Sequence, residues 1–319
     1  MVRNQISKPK SAYTLIELSI VILIIAVLMT GGLTITIGSF NKAKKISTQN
    51  KIKEIYSALG KYLLENKRLP CPASLELAKN DNSYAVEYEN LVGPVVGYGS
   101  GCGTGVAGSG VYVNSSNPNI FYGMVPAKTL NLPLSMAEDD FGSKISYVID
   151  QRFTRSFQSD ITTMNYGFGT TEPYTQTITV TEKPSSISRE ITQDAILVII
   201  SHGLNKSGAF NANARTQNPR SVDSDEMEND YNSSFDKNFI YYSQNSEIFD
   251  DVVFFKTRNQ IVQDFDVFHL VACNNADGKG AYYGQSIYGS ACSFPYKKIP
   301  EKYCDKFGNW FEINKCSSW

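Results

Sequence analysis

The chain lacks an excess of charge of either sign. Its 30 Lys+Arg stand against 31 Asp+Glu, a formal net charge of -1. A nucleic-acid-binding domain carries a basic excess, so no nucleic-acid partner is expected. Charge is scarce altogether, at 19% of residues, against roughly 25% in an ordinary soluble chain. Histidine is scarcer still: His202 and His269 are the two, which leaves a histidine-based metal centre few ligands. No C-x-x-C pair exists and the cysteine spacings are wide, which disfavours zinc. A Gly-x-Ser-x-Gly elbow and a GxxxxGK[ST] loop are both missing, so the sequence signatures of α/β-hydrolase and P-loop chemistry are absent. Apolar residues are not scarce. With 42% hydrophobic and 12% aromatic residues, the chain has enough core to exclude wholesale disorder. Its 319 residues suggest two units at about 150 residues each.

The charge deficit has a local cause. No charged side chain occurs from Leu18 to Asn41, a stretch of about 36 Å if helical, which matches a bilayer core of about 30 Å. A basic stretch with Arg3, Lys8 and Lys10 precedes it. A cleaved secretory signal has an apolar run of only about 7–15 residues before a small-x-small cut site, and this run is longer. An uncleaved signal anchor fits the hydropathy equally well, whereas a buried core helix fits less well because nothing else here is comparably apolar. Flanking charge leaves orientation open, since Lys42, Lys44 and Lys45 offset the basic residues in front. Glu17 separates these readings. It stands where the apolar helix begins, and an ionisable group in a membrane segment costs about 2.5–3.5 kcal/mol on insertion scales, so such residues are usually functional and paired.

The stretch Ser11-Ala12-Tyr13-Thr14-Leu15-Ile16-Glu17-Leu18 resembles the class III signal of type IV pilins and type II secretion pseudopilins. The resemblance implies that a prepilin peptidase cuts between Ala12 and Tyr13, that Tyr13 becomes the N-methylated first residue, and that Glu17 acts in assembly. Two positions depart from the family pattern, which usually has Gly before the cut and Phe after it. The resemblance further implies inner-membrane lipid and other pilin or pseudopilin subunits as partners. It implies a cytoplasmic leader, a single membrane pass and a periplasmic head, with entry into a pilus or pseudopilus. A carboxylate at position 17 can neutralise the new ammonium at Tyr13 when helices pack, because two charges in low dielectric are tolerable only as a pair.

Beyond Gly31-Gly32, Ile46, Ile52, Ile55, Leu59, Tyr62 and Leu63 recur mostly at three- and four-residue spacings, the period of an amphipathic helix. No proline interrupts the chain between Lys10 and Pro70, so one helix is expected from about Tyr13 to Asn66, ended by Pro70-Cys71-Pro72. Strands are expected at Lys144–Ile149, Gln176–Glu182 (half exposed by its alternation), Ile196–Ser201, Asp251–Phe255 and Asp266–Val271. The expected class is α+β: a long N-terminal helix, transmembrane then amphipathic, packed on an antiparallel β-sheet head with a cysteine-rich C-terminal extension. The corresponding segments are 1–12 (leader), 13–70 (helix, membrane part about 15–40), 71–272 (head) and 273–319 (extension). The Gly-rich stretch 93–110 reads as a loop pinned by Cys102. Within the head, Asp139-Asp140-Phe141-Gly142 is similar to the Asp-x-aromatic-Gly step of the major pseudopilins. Ser201-His202-Gly203-Leu204-Asn205-Lys206-Ser207-Gly208 resembles their Ser-x-Gly-x-Asp-Gly loop.

The implied function is that of a non-catalytic minor pilin or pseudopilin. The alternative is a membrane-anchored periplasmic hydrolase using Ser201 and His202, although neighbouring strand residues point to opposite faces. The cysteines Cys71, Cys102, Cys273, Cys292, Cys304 and Cys316 are read as disulfide partners on the oxidising side of the membrane. Cys71–Cys102 is the expected pair, and the other four staple the tail, with connectivity open. No cofactor is expected beyond a structural calcium ion. Asp223, Asp225, Glu226, Glu228 and Asp230 place five carboxylates in eight residues, whose charges repel unless solvated or shared by a cation; Asp223, Asp225 and Asp230 are the expected ligands among them. Asn205 stands where the resembling loop carries a ligand Asp.

Overall fold

The computed structural model describes residues 14–88, 102, 110–113, 120–154, 177–183, 188–231, 237–243 and 249–267, and the backbone of strands between 272 and 318. The side chains of 28–37 and of 268–319 lie outside the described residues, as do Ala12, Tyr13, His269 and nearly all of the Gly-rich stretch. Two compact units divide the chain, Met1–Ile46 and Ser47–Trp319.

Helix α1 (Leu15–Asn66) contributes to both units. In the first, every described side chain from Thr14 to Val27 is exposed, Leu15 by 89%. Among the described residues no helix is long and apolar enough to cross a membrane. In the second unit α1 turns one stripe inward. Ile52, Ile55, Leu59 and Leu63 are buried, at the three- and four-residue spacing of one helix face, each contributing about 1.5–3 kcal/mol. The helix ends as its residues demand. Lys67 adopts a left-handed φ of 59° and its N–H caps Leu63 O at 2.9 Å, after which Pro70 and Pro72 bar continuation.

The main sheet has the order β1-β2-β3-β5-β4-β6, with β7 also pairing β5. Its strands are β1 (Tyr112–Val113), β2 (Ile120–Met124), β3 (Ser146–Asp150), β4 (Ile178–Glu182), β5 (Arg189–Ser201), β6 (Asn238–Tyr241) and β7 (Val252–Thr257). All pairs are antiparallel except β4 with β6. The run Ile196–Ile200 in β5 is fully buried, because β3 and β7 flank it on its two edges. Strand β4 departs from its expected half exposure: Thr177 before it and Ile178, Thr179 and Val180 within it are buried, so both faces of the sheet are covered at these positions. The expected strand at Asp266–Val271 begins instead in the turn after a helix, and 268–271 lie outside the described residues. Two short helices went unforeseen, α2 (Ser224–Asn229) and α3 (Arg258–Asp264). The C-terminal part adds a β8 (Ala272–Asn274)–β9 (Gly280–Tyr282) hairpin. It also adds a three-stranded sheet of β10 (Ser286–Tyr288), β11 (Tyr296–Cys304) and β12 (Trp310–Ser318).

Polar ties fasten the helix exit to the loops that follow it. The Glu87 carboxylate accepts from both Arg68 guanidinium nitrogens (2.9 and 3.2 Å), from Tyr62 OH (2.8 Å) and from Cys71 N–H (3.0 Å). Cys71 is bonded to Cys102 across a separation of 31 residues, both buried in the core. The Lys144 ammonium, fully buried, donates to Leu75 O (2.7 Å), Leu77 O (2.7 Å) and Ala214 O (2.9 Å), so one side chain just before β3 holds two separate loops. Gly123 marks where the 71–73 segment crosses β2: a Cβ there would strike Pro72 and the Ala73 carbonyl at 2.5 and 2.6 Å.

Candidate functional site

Strand β5 ends at Ser201, and the chain then makes a loop that returns through α2. Ser201 Oγ donates to Asp139 Oδ2 at 2.7 Å, while Asp139 Oδ1 accepts from the N–H groups of Phe141 (3.0 Å) and Ser143 (2.8 Å). The Asp-Asp-Phe-Gly step and the loop after β5 are therefore clamped by one carboxylate. Ser201 is thus engaged away from His202, as strand alternation requires. His202 instead sets Nε2 at 3.4 Å from Ser146 Oγ and 3.5 Å from Tyr122 OH. Its Nδ1 lies 3.5 Å from Asp230 Oδ1 and 3.8 Å from Asp251 Oδ1. Ser146, His202 and Asp230 are all buried. Burial pushes the imidazole pKa down to about 4, which keeps it neutral at physiological pH.

Around this histidine lies a set of acids. Glu226 accepts from Asn205 Nδ2 on both oxygens (2.9 and 2.8 Å), from Ser221 Oγ (2.7 Å) and from Asp250 N–H (3.1 Å). Asp250 Oδ2 accepts from Leu204 N–H (2.7 Å) and Asn205 N–H (2.9 Å). Its Oδ1 is buried without a hydrogen-bond partner. Asn229 Nδ2 donates to Asp251 Oδ2 at 2.8 Å. Carboxylate oxygens of Glu226, Asp250 and Asp251 all lie within 4.8 Å of one another. These donors are neutral; a cation nearby is Arg220, 3.6 Å from Asp230. Burial raises Asp230 and Asp250 to about 6, with the Glu226 charge adding to both. Burial also lifts Asp251 well above its ordinary range, opposed by the Asn229 bond and reinforced by Glu226, Asp230 and Asp250. Three adjacent carboxylates with an unpartnered oxygen suit a hard cation, which takes oxygen ligands.

Two glycines let the loop approach these acids. Gly203 (φ 61°) and Gly208 (φ 67°) adopt left-handed backbone, and a Cβ would collide with Asp250 at the first and with the Asp230 carboxylate at the second. The residues expected from sequence divide here. Asn205 and Asp230 stand at the cluster, the Asn205 amide oxygen being used by Ser207 N–H at 2.9 Å. Asp223 instead caps α2, accepting from Asp225 N–H (2.9 Å) and Glu226 N–H (3.1 Å). Asp225 bonds Lys183 and, at 2.7 Å, Tyr242 OH. Glu226 comes from the expected acidic run and stands in the cluster; Asp250 and Asp251 lie outside that run, although the Asp250-Asp251 doublet directly before apolar Val252-Val253 is a visible signal.

At the other end of the chain, Glu17 is exposed in the first turn of α1, its N–H bonded to Thr14 O at 3.1 Å. Acid in a first turn suits the positive end of the helix dipole. The apolar residues that follow, Leu18 to Ile25, are exposed all round, a surface that demands cover from outside the chain. Residues 7–33 match the family model described as the prokaryotic N-terminal methylation motif. The N terminus is type IV pilin-like. No curated protein and no solved structure matches the chain. The pilin-like motif is that of a precursor processed by prepilin peptidase, and the matched residues 7–33 contain Ala12, Tyr13, Glu17 and most of the apolar run. Pilin-like proteins of this kind are generally structural. The hydrolase alternative also loses its proposed pair, since Ser201 is bonded to Asp139 and His202 to other groups.

Proposed function

We propose that this chain is a non-catalytic structural subunit, a minor pilin or pseudopilin, of a type IV pilus or type II secretion pseudopilus. The observation that carries the reading is the methylation motif over residues 7–33, with an acid at its fifth mature position followed by exposed apolar helix. Before assembly the segment of about 15–40 spans the inner membrane, with the leader cytoplasmic and the head periplasmic. Cleavage between Ala12 and Tyr13 frees an ammonium that is N-methylated. In the filament, lipid gives way to neighbouring pilin helices, and Glu17 of one subunit meets the Tyr13 ammonium of another. A head running from about residue 71 crowds a regularly repeating filament, which favours a minor or tip-proximal position.

Glu17→Ala tests the pairing. Membrane insertion should persist, because a buried charge is removed, while incorporation into filaments should fall tenfold or more, the loss of about 1.4 kcal/mol or more per subunit contact. Wild-type incorporation at matched expression would show that Glu17 only marks the membrane boundary.

For the head we propose a structural calcium ion. The residues that would hold it are Glu226, Asp250 and Asp251, bordered by Asn205 and Asp230, with Asp223 and Asp225 outside the shell. Bound there, the ion supplies the positive charge that the neutral donors around these acids do not.

A further inference from the structure

Strand β11 pairs with β10 on one edge and with β12 on the other, and this ladder serves as a ruler for Cys273, Cys292, Cys304 and Cys316. A disulfide holds its two Cα atoms about 4.4–6.8 Å apart, and strand residues advance about 3.3 Å each. Cys304 is opposite Trp310, whereas Cys316 is opposite Lys298. These rungs lie about 20 Å apart, so Cys304 and Cys316 cannot bond each other. Cys292 comes four residues before Tyr296, and its Cα lies within about 14 Å of that residue whatever path the chain takes. Cys304 lies eight residues beyond Tyr296 on the same strand, about 26 Å away. The difference, about 12 Å, exceeds what a disulfide spans, so Cys292 cannot bond Cys304 either.

One pairing survives. We propose that the C-terminal part is closed by Cys273–Cys304 and Cys292–Cys316. Both bonds are within reach. Ser286 is opposite Tyr303, next to Cys304, and lies four residues from Tyr282, the partner of Ala272 beside Cys273. Cys316 is opposite Lys298, two residues along from Tyr296. The Cys71–Cys102 disulfide belongs to a chain that matures where thiols are oxidised. Each new bond forms when two thiols give up two protons and two electrons to the disulfide of a thiol oxidoreductase, which is released as a dithiol. The two links fasten opposite ends of the β11–β12 ribbon to segments before it.

Trypsin tests the pairing cleanly, because Lys and Arg positions put the four cysteines on four peptides: 259–279, 280–297, 303–306 and 316–319. The full-length chain is alkylated without reductant, digested and analysed by mass spectrometry. The expected result is 259–279 linked to 303–306, and 280–297 linked to 316–319, from a chain that migrates as a monomer on a non-reducing gel. Any other linked pair, alkylated cysteine at these positions, or a dimer that reductant dissolves would overturn the assignment.

Discussion

Lys144→Met will destabilise the head by about 2–4 kcal/mol, the largest effect expected of a single substitution that preserves volume. The ammonium is fully buried and its three donors are spent on Leu75 O, Leu77 O and Ala214 O. Burial pulls its pKa down to about 8, opposed by the Glu138, Asp81 and Glu76 charges, so the charged form prevails at neutral pH. Methionine fills the channel but leaves three carbonyls without a donor, each costing about 1–3 kcal/mol, against which the relief of a buried charge is only a partial offset. Urea unfolding of the purified chain measures the effect. A change within about 0.5 kcal/mol would mean that these loops are held by something else.

The second large effect concerns calcium and protons together. Asp230 and Asp250, raised to about 6, and Asp251, raised well above its ordinary range, bind protons more tightly folded than unfolded. Their contribution to stability in chelator is therefore full below the unfolded pKa and is lost as pH rises through the folded values. His202, lowered to about 4, acts oppositely, costing stability as pH falls below about 6.5. Calcium competes with protons for the same oxygens and needs them ionised. The melting-temperature rise given by calcium over chelator should accordingly be several degrees at pH 8 and shrink towards nothing by pH 5.5. Asp251→Asn should remove most of it at pH 8, whereas Asp223→Asn should leave it intact. A calcium shift that is absent at pH 8, or independent of pH, would mean that the acids are held by protons and amides alone.

What was legible in the sequence followed from strong local signals. The buried stripe Ile52, Ile55, Leu59 and Leu63 has helical spacing, and Pro70 and Pro72 end the helix where chain chemistry requires. The apolar runs at 196–200 and 252–255 became strands β5 and β7. Helices α2 and α3 escaped because six or seven residues carry less than two turns of periodicity. Their start signals were nonetheless present: Asp223 stands three residues before Glu226, and Thr257 three before Gln260 with a full capping box. An acidic run reads as mutually repelling charges in sequence because sequence does not reveal partners. Asp225 finds Lys183, 42 residues away, and Glu226 finds Asn205, 21 residues away. Glu87, the anchor of the helix exit, gave no local sign, since its four donors come from Tyr62, Arg68 and Cys71.

That this is a pilin-like precursor is tested most directly at the bond between Ala12 and Tyr13. The chain is expressed with and without a prepilin peptidase, purified from membranes, and its intact mass and N-terminal peptide are measured. With the peptidase present, the chain should begin at Tyr13 and be heavier by one methyl group on its amino nitrogen. Without it, residues 1–12 should remain. A chain that keeps Met1 to Ala12 in the presence of an active peptidase, or that begins elsewhere, would contradict it.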